Sequence, residues 1–149
     1  MIGYQFHPGR VHLVRLATGS DLYDSVTTYV RDHGIGAASV TFLGAVQHAA
    51  LRYYDQDEKV YRDFEIAEHL EVVAGVGNVS LLDDAPFVHI HAALADAEGR
   101  AFGGHVNTGT IVFATEVTIH ELEGEPPVRD ADDCTGLTLW GGTLEAEST

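Results

Sequence analysis

Residues 87–106, FVHIHAALADAEGRAFGGHV, constrain the fold more than any other stretch of the chain. The alternation before Asp96 reads as a strand, and side chains two apart on a strand share a face, so His89 and His91 point the same way. The segment Asp96–Arg100 reads as a hairpin turn with the loop Ala97-Glu98-Gly99, in which Gly99 supplies the left-handed conformation that three-residue loops need. With Asp96 opposite Arg100, the same register sets His91 opposite His105. Directly opposed residues share a face with Cβ atoms about 4.5–5.5 Å apart. His89 lies one step further along that face. A bulge at Gly103-Gly104 is the one feature that would undo this, because it would send His105 to the other face.

Three neutral imidazoles on a rigid sheet match a common catalytic zinc pattern, in which the fourth position stays open. Nickel, copper, iron and cobalt accept the same ligands. Ligating histidines use their second ring nitrogen on an outer partner, and Glu65, Asp96 and Glu116 are the candidate carboxylates. The competing reading is polar packing, since a His-x-His pair arises readily in a chain with nine histidines. A cupin is the structural rival. It wants a glutamate soon after the pair and a proline-framed third histidine, whereas this chain has AALAD and GGHVN.

The rest of the chain reads as mostly strands. GRVHLVRLATG (9–19) alternates. SDLYDSVTTYVRDHG (20–34) is a helix, with Leu22, Val26, Tyr29 and Val30 at helical spacing, Ser20 or Thr18 as N-cap and Gly34 beyond the end. Residues 38–55 form one strand bent near Gly44 or two shorter ones, and QDEK (56–59) is a turn. Residues 69–83 form a glycine-punctuated strand pair or one bent strand, and 86–96 and 110–122 are further strands. An acidic tail, 123–149, begins with an exposed connection containing Pro126-Pro127. It carries a last short strand near 135–142, and residues 143–149 are expected to fray. Helices and strands do not alternate. The expectation is therefore one α+β domain over 1–149, with its core at about 9–122. It would hold a mainly antiparallel (mixed) sheet of about seven strands and one main helix.

Charge narrows the partners. The chain carries 23 acids against eight bases, for a net charge of −15, and its one lysine is Lys59. Nucleic-acid binding needs cations that displace counterions from phosphate, and no basic stripe is present. A high-salt cytoplasm favours the same acidic surface, and at molar salt the Debye length of about 3 Å weakens repulsion from DNA. No apolar run approaches a membrane span, and the opening residues do not read as a secretory leader, so a cytoplasmic protein without membrane contact is expected. The single cysteine, Cys134, cannot form an internal disulfide, and its acidic setting makes it a poor nucleophile.

The stretch FVHIHAALADAEGRAFGGHVNTGTIVFATEVTI resembles the central motif of the PPC (plants and prokaryotes conserved) domain. That motif runs His-x-His, an Asp-x-x-Gly turn, Gly-Gly-His, then a strand carrying Glu. HLVRLATGSDLYDSVTTYVRDHGIGAASVTFLGAVQHAALRYYD and DFEIAEHLEVVAGVGNVSLLDDAPFVHIH resemble the family's earlier segments, and the likeness spans about 9–122. The resemblance implies a homotrimer in which His89, His91 and His105 hold Zn²⁺ or another divalent transition metal; the histidine cluster itself suggests a small-molecule site, for binding or for metal-dependent catalysis. It matches Glu65 to the family's Phe-Glu-Ile glutamate and Glu116 to its late-strand acid. The alternative it implies is a non-enzymatic DNA-binding, regulatory or protein-interaction module. In plants the domain is joined to AT-hooks, which this sequence lacks, and the plant segment Gly-Arg-Phe-Glu-Ile-Leu appears here as RDFEIA. Direct nucleic-acid binding is accordingly not expected. No nucleophile–base pair, phosphate loop or dinucleotide fingerprint names a reaction.

Overall fold

The computed structural model describes residues 2–141. The expected fraying of 143–149, and residue 142 of the last strand, lie outside the described residues. The elements are β1 (His7–Arg15), α1 (Leu22–Asp32), β2 (Ala38–Asp55), β3 (Val60–Ile66), β4 (Leu70–Leu82), β5 (Ala85–Ala95), β6 (Ala101–Val106), β7 (Ile111–Glu123), β8 (Arg129–Asp132) and β9 (Leu137–Trp140). Seven strands make one sheet in the order β1-β7-β2-β4-β5-β6, with β3 on β2, and β8 and β9 form a separate ribbon. Every strand pairing is antiparallel. The only parallel contact among the described residues is an isolated bridge from Leu81 to Val128. The sequence-based expectation of a mainly antiparallel sheet of about seven strands with one helix is met; one of the seven, β3, has no counterpart among the strands expected from sequence, and the β8–β9 ribbon stands outside the sheet.

The helix forms because Leu22, Val26 and Val30 recur every four residues and are buried. That stripe joins a core with Val88 and Ile90 of β5. Its N-cap is Asp21, not Ser20 or Thr18. The Asp21 carboxylate accepts from Asp24 N at 2.9 Å, while the Ser20 hydroxyl donates to the Ala17 carbonyl. A carboxylate at this position also complements the helix dipole.

Strand β2 organises the sheet. Its first half pairs with β4 and β7, and its second half pairs with β3 and β6. The strand bends at a bulge against β4 between Phe42 and Gly44, where Gly44 has φ +133°, and the change of partners follows two further register shifts against β7 between Ala45 and His48. Because β6 pairs with both β5 and β2, the strands β2, β4, β5 and β6 close into a ring. A side chain at Gly44 would strike the Ala114 carbonyl in a backbone region that favours glycine. Gly44→Ala is therefore expected to cost about 3 kcal/mol or more, read as a lowered urea midpoint. An unchanged midpoint would mean that the bend tolerates a side chain.

One row of side chains crosses the sheet on its outer face. Successive strand partners give Leu13, Thr118, Thr41, Val76, His91 and His105. Val11, Leu13, Leu43 and Val76 on this face are exposed, Leu13 to 81%. The histidines thus stand at one end of an uncovered apolar surface.

Candidate metal centre

Strands β5 and β6 pair as the hairpin reading requires. His91 faces His105, Ala92 faces Gly104 and Ala93 faces Gly103, with no bulge between them. Gly99 has φ +76° in the turn. The two glycines keep the register because β6 is squeezed between neighbours. A Cβ on Gly103 would lie 2.9 Å from the Ala92 carbonyl oxygen, and one on Gly104 would lie 3.0 Å from that of Arg52.

The three rings converge. Their centroids are 5.0 Å (His89–His91), 4.9 Å (His89–His105) and 5.2 Å (His91–His105) apart. Each ring offers a nitrogen, and these three atoms lie within 4.8 Å of one another. His89 Nε2 and His91 Nε2 are 3.1 Å apart. Two nitrogens on one tetrahedral zinc stand about 3.3 Å apart, given Zn–N bonds of 2.0–2.1 Å. His105 Nδ1 is buried with no hydrogen-bond partner among the described residues. An orphaned ring nitrogen in the cluster is a cost that a metal ion would remove.

Burial also keeps these rings neutral. It is the main cause that lowers His89 to about 4, with Arg129 and His91 adding to it. His105 falls to about 4 for the same first reason, helped by His89 and His91. Burial pushes His91 down as well. Neutral imidazoles keep the lone pair that a metal requires.

The three carboxylates expected to back the histidines are elsewhere. Asp96 closes the hairpin turn, accepting from Glu98 N, Arg100 N and Arg100 Nε. Glu65 stands on β3 opposite Ala50, 3.5 Å from His48. Glu116 stands on β7 between Arg15 and Leu43. None of the three contacts the cluster among the described residues. Strand geometry explains this: Asp96 is five residues beyond His91, about 16 Å at strand rise, and β7 is three strands from β5.

The side chain that contacts His89 is instead Arg129, from the acidic connection expected to be exposed. Arg129 is buried at 6% exposure. Its Nε donates to Ser80 Oγ at 2.7 Å, Nη1 to the Thr138 carbonyl at 2.9 Å, and Nη2 to Asn78 Oδ1 at 3.2 Å and His89 Nδ1 at 3.3 Å. Its guanidinium also lies over the Phe87 ring. Arginine only donates, so His89 Nδ1 accepts, and the ring proton sits on Nε2 facing His91. A ligand lone pair on Nε2 needs that proton moved to Nδ1, where Arg129 now donates. A lone pair on Nδ1 is already taken by Arg129. Arg129 and a metal ion therefore compete for His89.

Comparison with known proteins accords with this geometry. Residues 4–123 match the model of the Plants and Prokaryotes Conserved domain. A metal-containing protein from Archaeoglobus fulgidus is 41% identical, with TM-score 0.91 over 95% of this chain and 100% of that one. A plant- and prokaryote-conserved protein from Pyrococcus horikoshii is 32% identical, with TM-score 0.89 over 96% of this chain and 99% of that one. A bifunctional GlmU protein from Synechococcus sp. (strain JA-3-3Ab) is 35% identical over 129 residues, 85% of this chain, and the match spans only 20% of that protein's length. Sheet order, the His-x-His and Gly-Gly-His strands and the match over residues 4–123 lead to one conclusion: this chain belongs to the Plants and Prokaryotes Conserved domain family.

Proposed function

We propose that this chain is a metal-binding domain whose His89, His91 and His105 hold one divalent transition ion, with zinc the first candidate. The observation that carries the reading is the convergence of three neutral imidazoles on one face of the β5–β6 hairpin. The metal-containing Archaeoglobus relative supports it at 41% identity. An ion held there supplies Lewis acidity toward a small-molecule ligand. The chain's own part is to present three nitrogens from two paired strands, with His89 and His105 half-buried and His91 exposed at the open side. Elemental analysis after zinc loading tests this. About one ion per chain is expected in the parent and none in a His89→Ala/His91→Ala/His105→Ala variant, and equal content in both would overturn the reading.

The depressed histidines set the pH behaviour. Ordinary histidine ligands lose metal as they protonate near pH 6.5. Here His89 and His105 take protons only near about 4. Burial lowers His91 as well, so zinc affinity is expected to hold through the ordinary histidine range and to fall only at more acid pH. A decline centred near pH 6.5 in a calorimetric series would contradict it.

We further propose that the protein works as a homotrimer in the cytoplasm. No helix among the described residues is long and apolar enough to cross a membrane. The exposed row of Val11, Leu13, Leu43 and Val76 is the apolar surface that a second copy would cover. Light scattering should give three times the 16.1 kDa chain mass, and Leu13→Glu should shift it toward the single-chain mass. A parent protein of single-chain mass would contradict the assembly.

A further inference from the structure

Beside the histidines lies a cavity of about 240 Å³ whose lining includes His89, His105, Arg52, Lys59, Tyr61 and Arg129. Its charge is opposite to that of the rest of the molecule. The whole chain has eight basic residues and 23 acidic ones, yet three of the bases and none of the acids line this cavity. Arg52 is matched by Asp63 at 2.9 Å. Arg129 and Lys59 have no carboxylate within ion-pair distance among the described residues. The Lys59 ammonium donates to the Asp133 carbonyl. Asp132, whose carboxyl the Lys59 charge helps to hold down, is bonded by the Thr135 amide and hydroxyl. A guanidinium has five N–H donors, and four of those on Arg129 are engaged, leaving one on Nη1. A buried cation without a counter-charge is costly, and an anion brought into the cavity removes that cost.

The walls select among anions. Phe87 and Leu139 line the same cavity as apolar surface. Drug-sized pockets run to about 300–1,000 Å³, so this one suits a molecule of few carbons. A cleft lined by one sign of charge also concentrates the matching ion against the repulsion of an acidic surface.

We propose that this cavity binds a small organic carboxylate, its oxygens held by Arg129 and Lys59 and its body directed past Tyr61 toward the histidine face. The site stands on its own cations, so its test is run on chelator-treated protein and its outcome is independent of whether zinc is held. Calorimetry would use pyruvate, with acetamide as the neutral control and inorganic phosphate as the competing anion, at constant ionic strength. Pyruvate is expected to bind once per chain at about millimolar Kd or tighter, with acetamide silent and phosphate weaker. Lys59→Gln should weaken pyruvate at least about threefold and Arg129→Gln about tenfold or more. Should Arg129→Gln fail to fold, Lys59→Gln decides, because Lys59 is exposed and anchors only a loop carbonyl. Lack of pyruvate binding, equal binding of acetamide, tighter binding of phosphate or an unchanged Lys59→Gln would each overturn the proposal. Zinc analysis of the same preparation reports separately on the three histidines.

Discussion

Replacing His105 with alanine is expected to reduce zinc affinity by more than about a hundredfold while leaving the metal-free fold nearly as stable as before. Losing an outer partner of a ligand costs about 10–100-fold, and His105 is one of three nitrogen donors with no fourth histidine in the cluster. The fold should tolerate the change because the ring contributes an unsatisfied buried nitrogen, so its removal offsets part of the lost packing. Acid behaviour gives the same variant a second readout. His105 has its pKa depressed to about 4 when folded, against about 6.5 unfolded. The unfolded chain therefore takes up the proton first, and stability falls as pH drops from about 6.5 to 4. His105→Ala removes one such group. Its urea midpoint should improve relative to the parent at pH 5 compared with pH 7. A variant that binds zinc like the parent, or that falls more steeply with acid, would contradict these assignments.

Arg129→Gln is expected to move two properties in opposite directions. It should raise zinc affinity about tenfold, because a positive charge leaves the cluster and His89 Nδ1 becomes free to carry its proton. It should also lower stability by about 2–4 kcal/mol, because the Ser80 hydroxyl, the Asn78 amide oxygen and the Thr138 carbonyl lose a charged donor. Those contacts tie the β8–β9 ribbon to β4, so the loss should appear first as faster hydrogen exchange over 129–140. A purely structural arginine would destabilise the protein without tightening zinc. That split, measured by calorimetry beside urea melts, separates the two roles.

The histidine cluster was legible because a hairpin carries its own ruler. The turn Asp96–Arg100 sets the register, and strand parity does the rest, which the observed His91–His105 pairing reproduces. The bend at Gly44 was legible for a similar reason, as a glycine inside a long apolar strand. The backing of the site was not. Proximity in sequence suggested Asp96, but its carboxylate is consumed by the turn it closes. Glu65 and Glu116 are candidate acids in the sequence that also match family positions, but they stand on β3 and β7, away from the β5–β6 hairpin. Arg129 was hidden because β8 is the four-residue stretch RDAD, too short and polar to show a period. Its signal was indirect: one arginine in an acidic run, followed at Trp140 by an aromatic residue that it packs near. The helix cap is ambiguous in the sequence. Ser20 and Asp21 are both good caps, and only the turn geometry, with Ser20 bonded back to Ala17, chooses between them.

The proposed site stands or falls with one metal ion held among His89, His91 and His105. Anomalous diffraction from zinc-loaded crystals, recorded above and below the zinc edge, tests it most directly. A single strong peak per chain bounded by the three imidazoles is expected, absent in the triple alanine variant. A peak elsewhere, or none in protein shown to be folded and loaded with zinc in excess, would contradict it.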